Sequence, residues 1–186
     1  MLIRNATLAD RPDIEALIAR SARGLSADDY RPSQIEGALR GAFGLDSQLL
    51  DDQTYFVAEE DGRLAGCGGW SYRSTLFGGD TRTGRDSSIL DPRTQAARIR
   101  AFFVAPHAAR RGIGSLLLEH CERAARSRGF SRVELMATLP GVKLYAARGY
   151  IASATVQFDV GQGESIEFVP MHKTLVEPQP TPTGVP

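Results

Sequence analysis

The sequence predicts an α/β (α+β) fold: a single domain built as one mixed sheet of six to seven strands flanked by about four helices. Three observations predict it. The apolar residues change period along the chain, giving a strand, two helices, three strands, a helix, a strand, a helix and two strands, an order too irregular for a doubly wound sheet. Asp61-Gly62 lies between two strand-like runs and supplies the positive φ that a tight hairpin requires. The length of 186 residues, 42% hydrophobic and 24% charged, suits one ordinary domain.

"MLIRNAT" reads as the first strand. "LADRPDIEALIARSARGL" reads as a helix, with Asp10 as N-cap, Pro12 in the first turn and Ile14, Leu17, Ile18 and Leu25 on one face. In "RPSQIEGALRGAF" the residues Ile35, Leu39 and Phe43 recur at helical spacing. "TYFVAEE" and "RLAGCGGWSYR" flank the Asp61-Gly62 turn as a hairpin. The stretch between Arg73 and Ala97 is rich in Gly, Ser, Thr and Asp and has no sustained period; loops of that length are usually functional or mobile. "ARIRAFFVAP" is a strand. The helix after it has an apolar stripe of Ile113, Leu116, Leu117, Cys121 and Ala124, opposite-charge pairs Glu119–Arg123 and Glu122–Arg126, and Gly129 as a C-terminal cap. "RVELMATL" is a strand, "GVKLYAARG" a short helix, and "YIASATVQFDV" with "ESIEFVPMHKTL" a closing antiparallel hairpin. The domain therefore spans residues 1–175. Residues 176–186, "VEPQPTPTGVP", have almost nothing to bury and read as a disordered Pro/Thr-rich tail.

Composition excludes several function classes. With 22 basic and 22 acidic residues the formal charge is zero, which offers no footprint for nucleic acid or an anionic membrane. The absence of an apolar run of about 18 residues argues against a spanning helix, and the N-terminus lacks the features of a secretory signal, so a cytoplasmic location is expected. Cys67 and Cys121 sit in apolar stretches with no Cys or His at ligand spacing. Buried free thiols are expected, and no metal.

The informative stretch is "FFVAPHAARRGIGSLLLEHCERAA". Its helix begins near Gly112, where unpaired backbone N–H groups and the helix dipole favour an anion, and glycines let a ligand approach the backbone. Arg110 and Arg111 add charge-assisted donors suited to phosphate oxygens. The passage from strand to helix therefore reads as a pyrophosphate cradle. The Walker lysine with its Ser/Thr is missing, as is the full dinucleotide fingerprint, which disfavours nucleoside triphosphates and nicotinamide cofactors.

A strand ending "FFV", a proline, "ARRGIGSLLL" and, downstream, "LYAARGY" together resemble the GNAT superfamily of acyl-CoA-dependent N-acetyltransferases, whose element order fits residues 1 to about 175. The resemblance implies a mostly antiparallel sheet and acetyl-CoA as acyl donor. It implies that the backbone of Phe102, Phe103 and Val104 holds the pantetheine arm and thioester carbonyl, and that Arg110, Arg111, Gly112, Ile113, Gly114 and Ser115 hold the pyrophosphate. Ala109 occupies the position where the family signature has Gln or Arg, while Gly112 and Gly114 match it. Thr138 stands where many relatives carry an asparagine that contacts the cofactor. Tyr145 corresponds to the family's late-helix tyrosine near the thioester sulfur, so its implied role is general acid or hydrogen-bond donor to the leaving thiolate.

The acceptor implied is a primary amine of a small molecule or peptide; a homodimer stays open. A general base is not legible. Glu134 is the weak candidate, since strand alternation leaves its side undetermined. Asp80, Asp86 and Asp91 read as solvated, and His107 as exposed close to the cradle. Trp70 and Tyr72, leading into the long loop, and Phe77 within it are expected to shape the acceptor pocket, and the loop itself is expected to shape that pocket or act as a lid. The competing expectation is a catalytically inactive acyl-CoA-binding sensor or interaction module on the same fold.

Overall fold

The computed structural model describes residues 1–175; the expected tail lies outside the described residues. Its elements are β1 (Leu2–Asn5), α1 (Arg11–Leu25), α2 (Pro32–Leu39), α3 (Ser47–Asp51), β2 (Tyr55–Glu60), β3 (Arg63–Ser71), β4 (Ala97–Val104), α4 (Ile113–Ser127), β5 (Arg132–Thr138), α5 (Val142–Ala147), β6 (Ile151–Ala152), β7 (Val156–Gly161) and β8 (Glu164–Thr174). The strands form one eight-stranded sheet in the order β1-β2-β3-β4-β5-β8-β6, with β7 also paired to β8. Every pairing is antiparallel except β4 with β5. That parallel pairing covers only Ala97↔Val133 and Arg98↔Glu134, so the two strands part toward their C-terminal ends.

The centre of the sheet is covered on both faces, because Tyr55, Phe56, Val57 and Ala58 are all buried although alternate side chains of a strand point opposite ways. On the α4 face, Phe56 meets His120 edge-on at 4.5 Å, and Gly66 lies so close under Ile113 that an added Cβ would stand 2.9 Å from it. α1 packs on β3 and β4 and α2 on β7 and β8. The hairpin turn forms as expected, with Asp61 at φ 50° and Gly62 at φ 73°.

Several local expectations are corrected. Asp10 occupies the N-cap position of α1 as expected but makes no side-chain cap bond: its carboxylate accepts from the Thr7 amide at 2.8 Å and pairs with Arg4 at 2.8 Å, closing the turn before the helix. Helix α2 ends at Leu39, and Phe43 is buried beyond it. The one-turn helix α3, capped by Asp46 on the Gln48 amide at 3.1 Å, is too short to register as a period. The closing hairpin is really three strands, since β8 is long enough to pair with β6 near His172 and with β7 near Phe168.

On α4 the buried stripe is Ile113, Leu117, Leu118, Cys121 and Ala125, whereas Leu116 is 41% exposed. Buried Glu122 pairs with Lys173 of β8 at 2.7 Å instead of with Arg126. Cys67 and Cys121 are free and buried, as expected.

Candidate active site

The parting of β4 from β5 leaves a gap in the sheet. The backbone of β4 is altered beside that gap: Arg100 faces Gly69 and Phe103 faces Cys67, so Ala101 and Phe102 stand opposite Gly68 alone. This is a β-bulge, with Ala101 in the left-handed region at φ 52°. Tyr55, fully buried, donates its hydroxyl to the Ala101 carbonyl at 2.8 Å. Two glycines of β3 make room for this arrangement, since a Cβ on Gly69 would meet Tyr55 at 2.6 Å and one on Gly68 would meet the Phe102 ring at 2.7 Å.

A cavity of about 460 Å³ opens from the gap. One wall is residues 102–104 of β4 with Ala109, Arg110 and residues 112–115; the opposite wall includes Thr138, Lys143 and Tyr145; Ser26 and Asp29, after α1, close the end. Gly112 is the N-cap of α4 at φ 83°, with no atom within 4 Å of where a side chain would begin. It therefore leaves the helix N-terminus open to an anion. Gly114 acts differently, because a Cβ there would lie 3.0 Å from Leu144; its bareness lets α5 approach α4.

Arg110 lines the cavity with its own backbone at φ 64°, a conformation that costs a non-glycine residue about 1–2 kcal/mol. Arg111 turns away. Its guanidinium makes two 2.8 Å hydrogen bonds to Glu60, and that pairing holds the Glu60 carboxyl below its usual range. Of the two expected phosphate-binding side chains, Arg110 alone faces the cavity.

Tyr145 is 7% exposed, with its ring 6.4 Å from Phe102 and 5.6 Å from Tyr150. Burial pushes its phenol well above the usual tyrosine range. A Cβ on Gly141 would stand 3.2 Å from the Tyr145 ring and 3.3 Å from the Thr138 hydroxyl, so a bare backbone here seats both groups. Gly141 carried no sequence signal beyond a helix boundary.

Phe77 lines a smaller cleft of about 60 Å³ that shares Phe43, Phe102, Phe103, Thr138 and Tyr145 with the main cavity and also contains Arg100. Trp70 and Tyr72 line neither. Trp70 is 3% exposed and packs edge-on against Phe130 at 6.2 Å, while Tyr72 lies under the Arg128 guanidinium at 4.0 Å. The two extend the core beside the closed end of β4. Glu134 stands at that closed end, paired with Arg98, and does not line the cavity. His107 is exposed and faces a separate surface groove with Arg4 and Arg63. The long loop is tied down, not free: Arg100 donates to the carbonyls of Thr75 at 3.0 Å and Gly78 at 2.7 Å, and both Arg100 and Arg85 pair with Asp46. Among the described residues no cluster of His, Cys, Asp or Glu could hold a metal ion, and no helix is long and apolar enough to cross a membrane.

The chain belongs to the acetyltransferase (GNAT) family, whose sequence model matches residues 20–150. No curated protein matches it significantly. Among solved structures it is similar to a GCN5-related N-acetyltransferase (aminotransferase, class-II) from Rhodopseudomonas palustris, at 21% identity and TM-score 0.69 over 94% of this chain and 95% of that one. It is also similar to the PaiA N-acetyltransferase from Thermoplasma acidophilum, solved with coenzyme A, at 17% identity and TM-score 0.64 over 93% and 98%. A ribosomal-protein-alanine N-acetyltransferase from Brucella melitensis matches at 20% identity and TM-score 0.61 over 94% and 100%. At these identities the likeness concerns the fold.

Proposed function

We propose that the protein is an N-acetyltransferase that moves an acetyl group from acetyl-CoA to a primary amine by direct attack. The observation that carries this reading is one cavity joining the open N-terminus of α4, the end of β4 beyond its bulge, and Tyr145. Acetyl-CoA, when bound, supplies the acetyl group and a thiol leaving group. The amides at the start of α4, with Arg110 and Lys143 beside them, suit its phosphates. The signature's missing side-chain contact at Ala109 leaves this recognition chiefly to the backbone.

Amides of residues 102–104 would donate to the thioester oxygen as negative charge gathers there, an interaction commonly worth about 3–4 kcal/mol. Tyr145 would meet the departing sulfur. A phenol and a thiol differ by about 1.5 pKa units in water, roughly 2 kcal/mol against proton transfer, and burial of Tyr145 widens that gap. Tyr145 therefore acts by donating a hydrogen bond, keeping its proton. The acceptor must shed one proton to solvent before attack, which for an alkylammonium of pKa about 10.4 costs roughly 4–5 kcal/mol at pH 7; the second proton, released as the amide forms, would be taken up by the departing thiolate.

The second reading, an acyl-CoA-binding module without turnover, draws on Glu134 being tied to Arg98 away from the cavity. Calorimetry with acetyl-CoA and a thiol-release assay across an amine panel separate the two. Binding with amine-dependent thiol release supports transfer, whereas binding without release under any amine supports the module.

A further inference from the structure

Resting on the acyl-transfer reading, we propose that Asp29 binds the ammonium group of the acceptor, and that the acceptor carries a single cationic amine on an apolar body. Asp29 is exposed in the turn between α1 and α2 and is the one carboxylate among the described residues lining the 460 Å³ cavity. Within the described residues its side chain takes part in no hydrogen bond or ion pair. Its neighbour Asp28 is exposed but does not line the cavity, and the acids on other elements are committed: Asp46 to Arg85 and Arg100, Asp80 to Arg11, Asp159 to the Gly161 amide and Glu167 to Gln157.

The turn that carries Asp29 is held in place. Its amide donates to the Ser26 carbonyl at 3.1 Å, as does that of Tyr30 at 2.9 Å. The hydroxyl of Tyr30 then donates to the Glu167 carbonyl of β8 at 2.7 Å and accepts from the Leu139 amide at 2.8 Å. One buried tyrosine thus ties the turn to β8 and to the end of β5, at the open side of the split where an amine must arrive.

The rest of the acceptor side is apolar. Phe43 meets Phe103 edge-on at 5.9 Å, and Phe77 meets Phe168 at 5.2 Å. The cleft between them has no acidic side chain and one cation, Arg100, while Arg82 covers the outer face of Phe77 at 4.0 Å. Through Phe43, Phe102, Phe103, Thr138 and Tyr145 the cleft is continuous with the larger cavity, and it extends that cavity with apolar surface suited to the acceptor's body. A second ammonium on the acceptor would lie among phenyl rings and guanidinium groups with no counter-charge.

The test compares phenethylamine, spermidine and aniline, the last being uncharged at pH 7, with the wild type, Asp29→Asn and Asp29→Glu. The wild type is expected to acetylate phenethylamine with a higher kcat/KM than spermidine. Asp29→Asn should cut kcat/KM for phenethylamine at least tenfold more than for aniline, leave the KM for acetyl-CoA within twofold, and be largely rescued by Asp29→Glu. Equal losses for the charged and uncharged amines, no loss at all, or a preference for spermidine overturns the proposal. Calorimetry of phenethylamine with each variant saturated with CoA gives an independent readout. Asp29-dependent binding without acetylation of any amine would defeat the transfer reading and leave the assignment of Asp29 standing. Transfer that persists with binding indifferent to Asp29 would do the reverse.

Discussion

A hydroxyl that keeps its proton is useful at Tyr145 because its surroundings never reward losing it. The ring is enclosed by Phe102, Tyr150 and the bare backbone of Gly141, and burial disfavours the phenolate. Removing the hydroxyl alone should therefore act on turnover and not on packing: Tyr145→Phe is expected to lower kcat about 10- to 100-fold, the scale of a lost hydrogen bond to charge, with the acetyl-CoA dissociation constant within about twofold. Steady-state kinetics beside calorimetry checks this, and an unchanged kcat removes the residue from the mechanism. Gly112 makes the complementary case. Its φ of 83° is a strained conformation for any other residue, and the space before it is open, so Gly112→Val should raise the KM for acetyl-CoA severalfold while costing about 1–2 kcal/mol of stability.

At the scale of elements, the site depends on how β4 is held. Its bulge places a left-handed alanine in the middle of a strand, a conformation sustained by the Tyr55 hydroxyl on the Ala101 carbonyl. Tyr55→Phe leaves that half-buried carbonyl without the Tyr55 hydroxyl and is expected to cost about 1–3 kcal/mol, read as a lower midpoint in urea at constant m. One turn back on the chain, Asp46 holds two guanidinium groups, Arg85 at 2.7 Å and Arg100 at 3.0 Å, and Arg100 in turn carries the long loop by its carbonyls. Asp46→Ala strands buried Arg100, and a loss of about 3–5 kcal/mol is expected in the same measurement. None of this support was legible in the sequence. "RLAGCGGWSYR" read as a hairpin strand, and the reason for Gly68 and Gly69, the rings of Phe102 and Tyr55, lies on other strands. The loop's anchors, Asp46 and Arg100, are 54 residues apart and announce themselves by no spacing.

Across the whole molecule, what the sequence disclosed was what local pattern can encode. The strand–glycine–helix passage and the Asp61-Gly62 turn are short-range signals, and each forms as expected; Tyr145 lies on the short helix α5 and lines the cavity. Trp70, Tyr72, Glu134 and Arg111 were misplaced for one shared reason: strand alternation and loop position do not say which neighbour a side chain will meet, and these four met Phe130, Arg128, Arg98 and Glu60. Asp29 and Tyr30 were overlooked because a turn between helices has no periodicity to read. The same long-range pairing governs the response to acid. The Arg4 hydrogen bonds to Asp10, which join β1 to the start of α1, hold the Asp10 carboxyl far below its unfolded value, with the Thr7 amide adding to the effect. Because the folded state binds that proton less readily than the unfolded chain, the stabilisation is fully present above the unfolded pKa of about 4. It is lost as pH falls toward the depressed folded value. The thermal midpoint of the wild type should then decline steeply below pH 4. In Asp10→Asn the midpoint should start lower at pH 7 and the decline should be shallower, so the two curves converge toward pH 2; parallel curves would mean that this pair does not govern the acid limb.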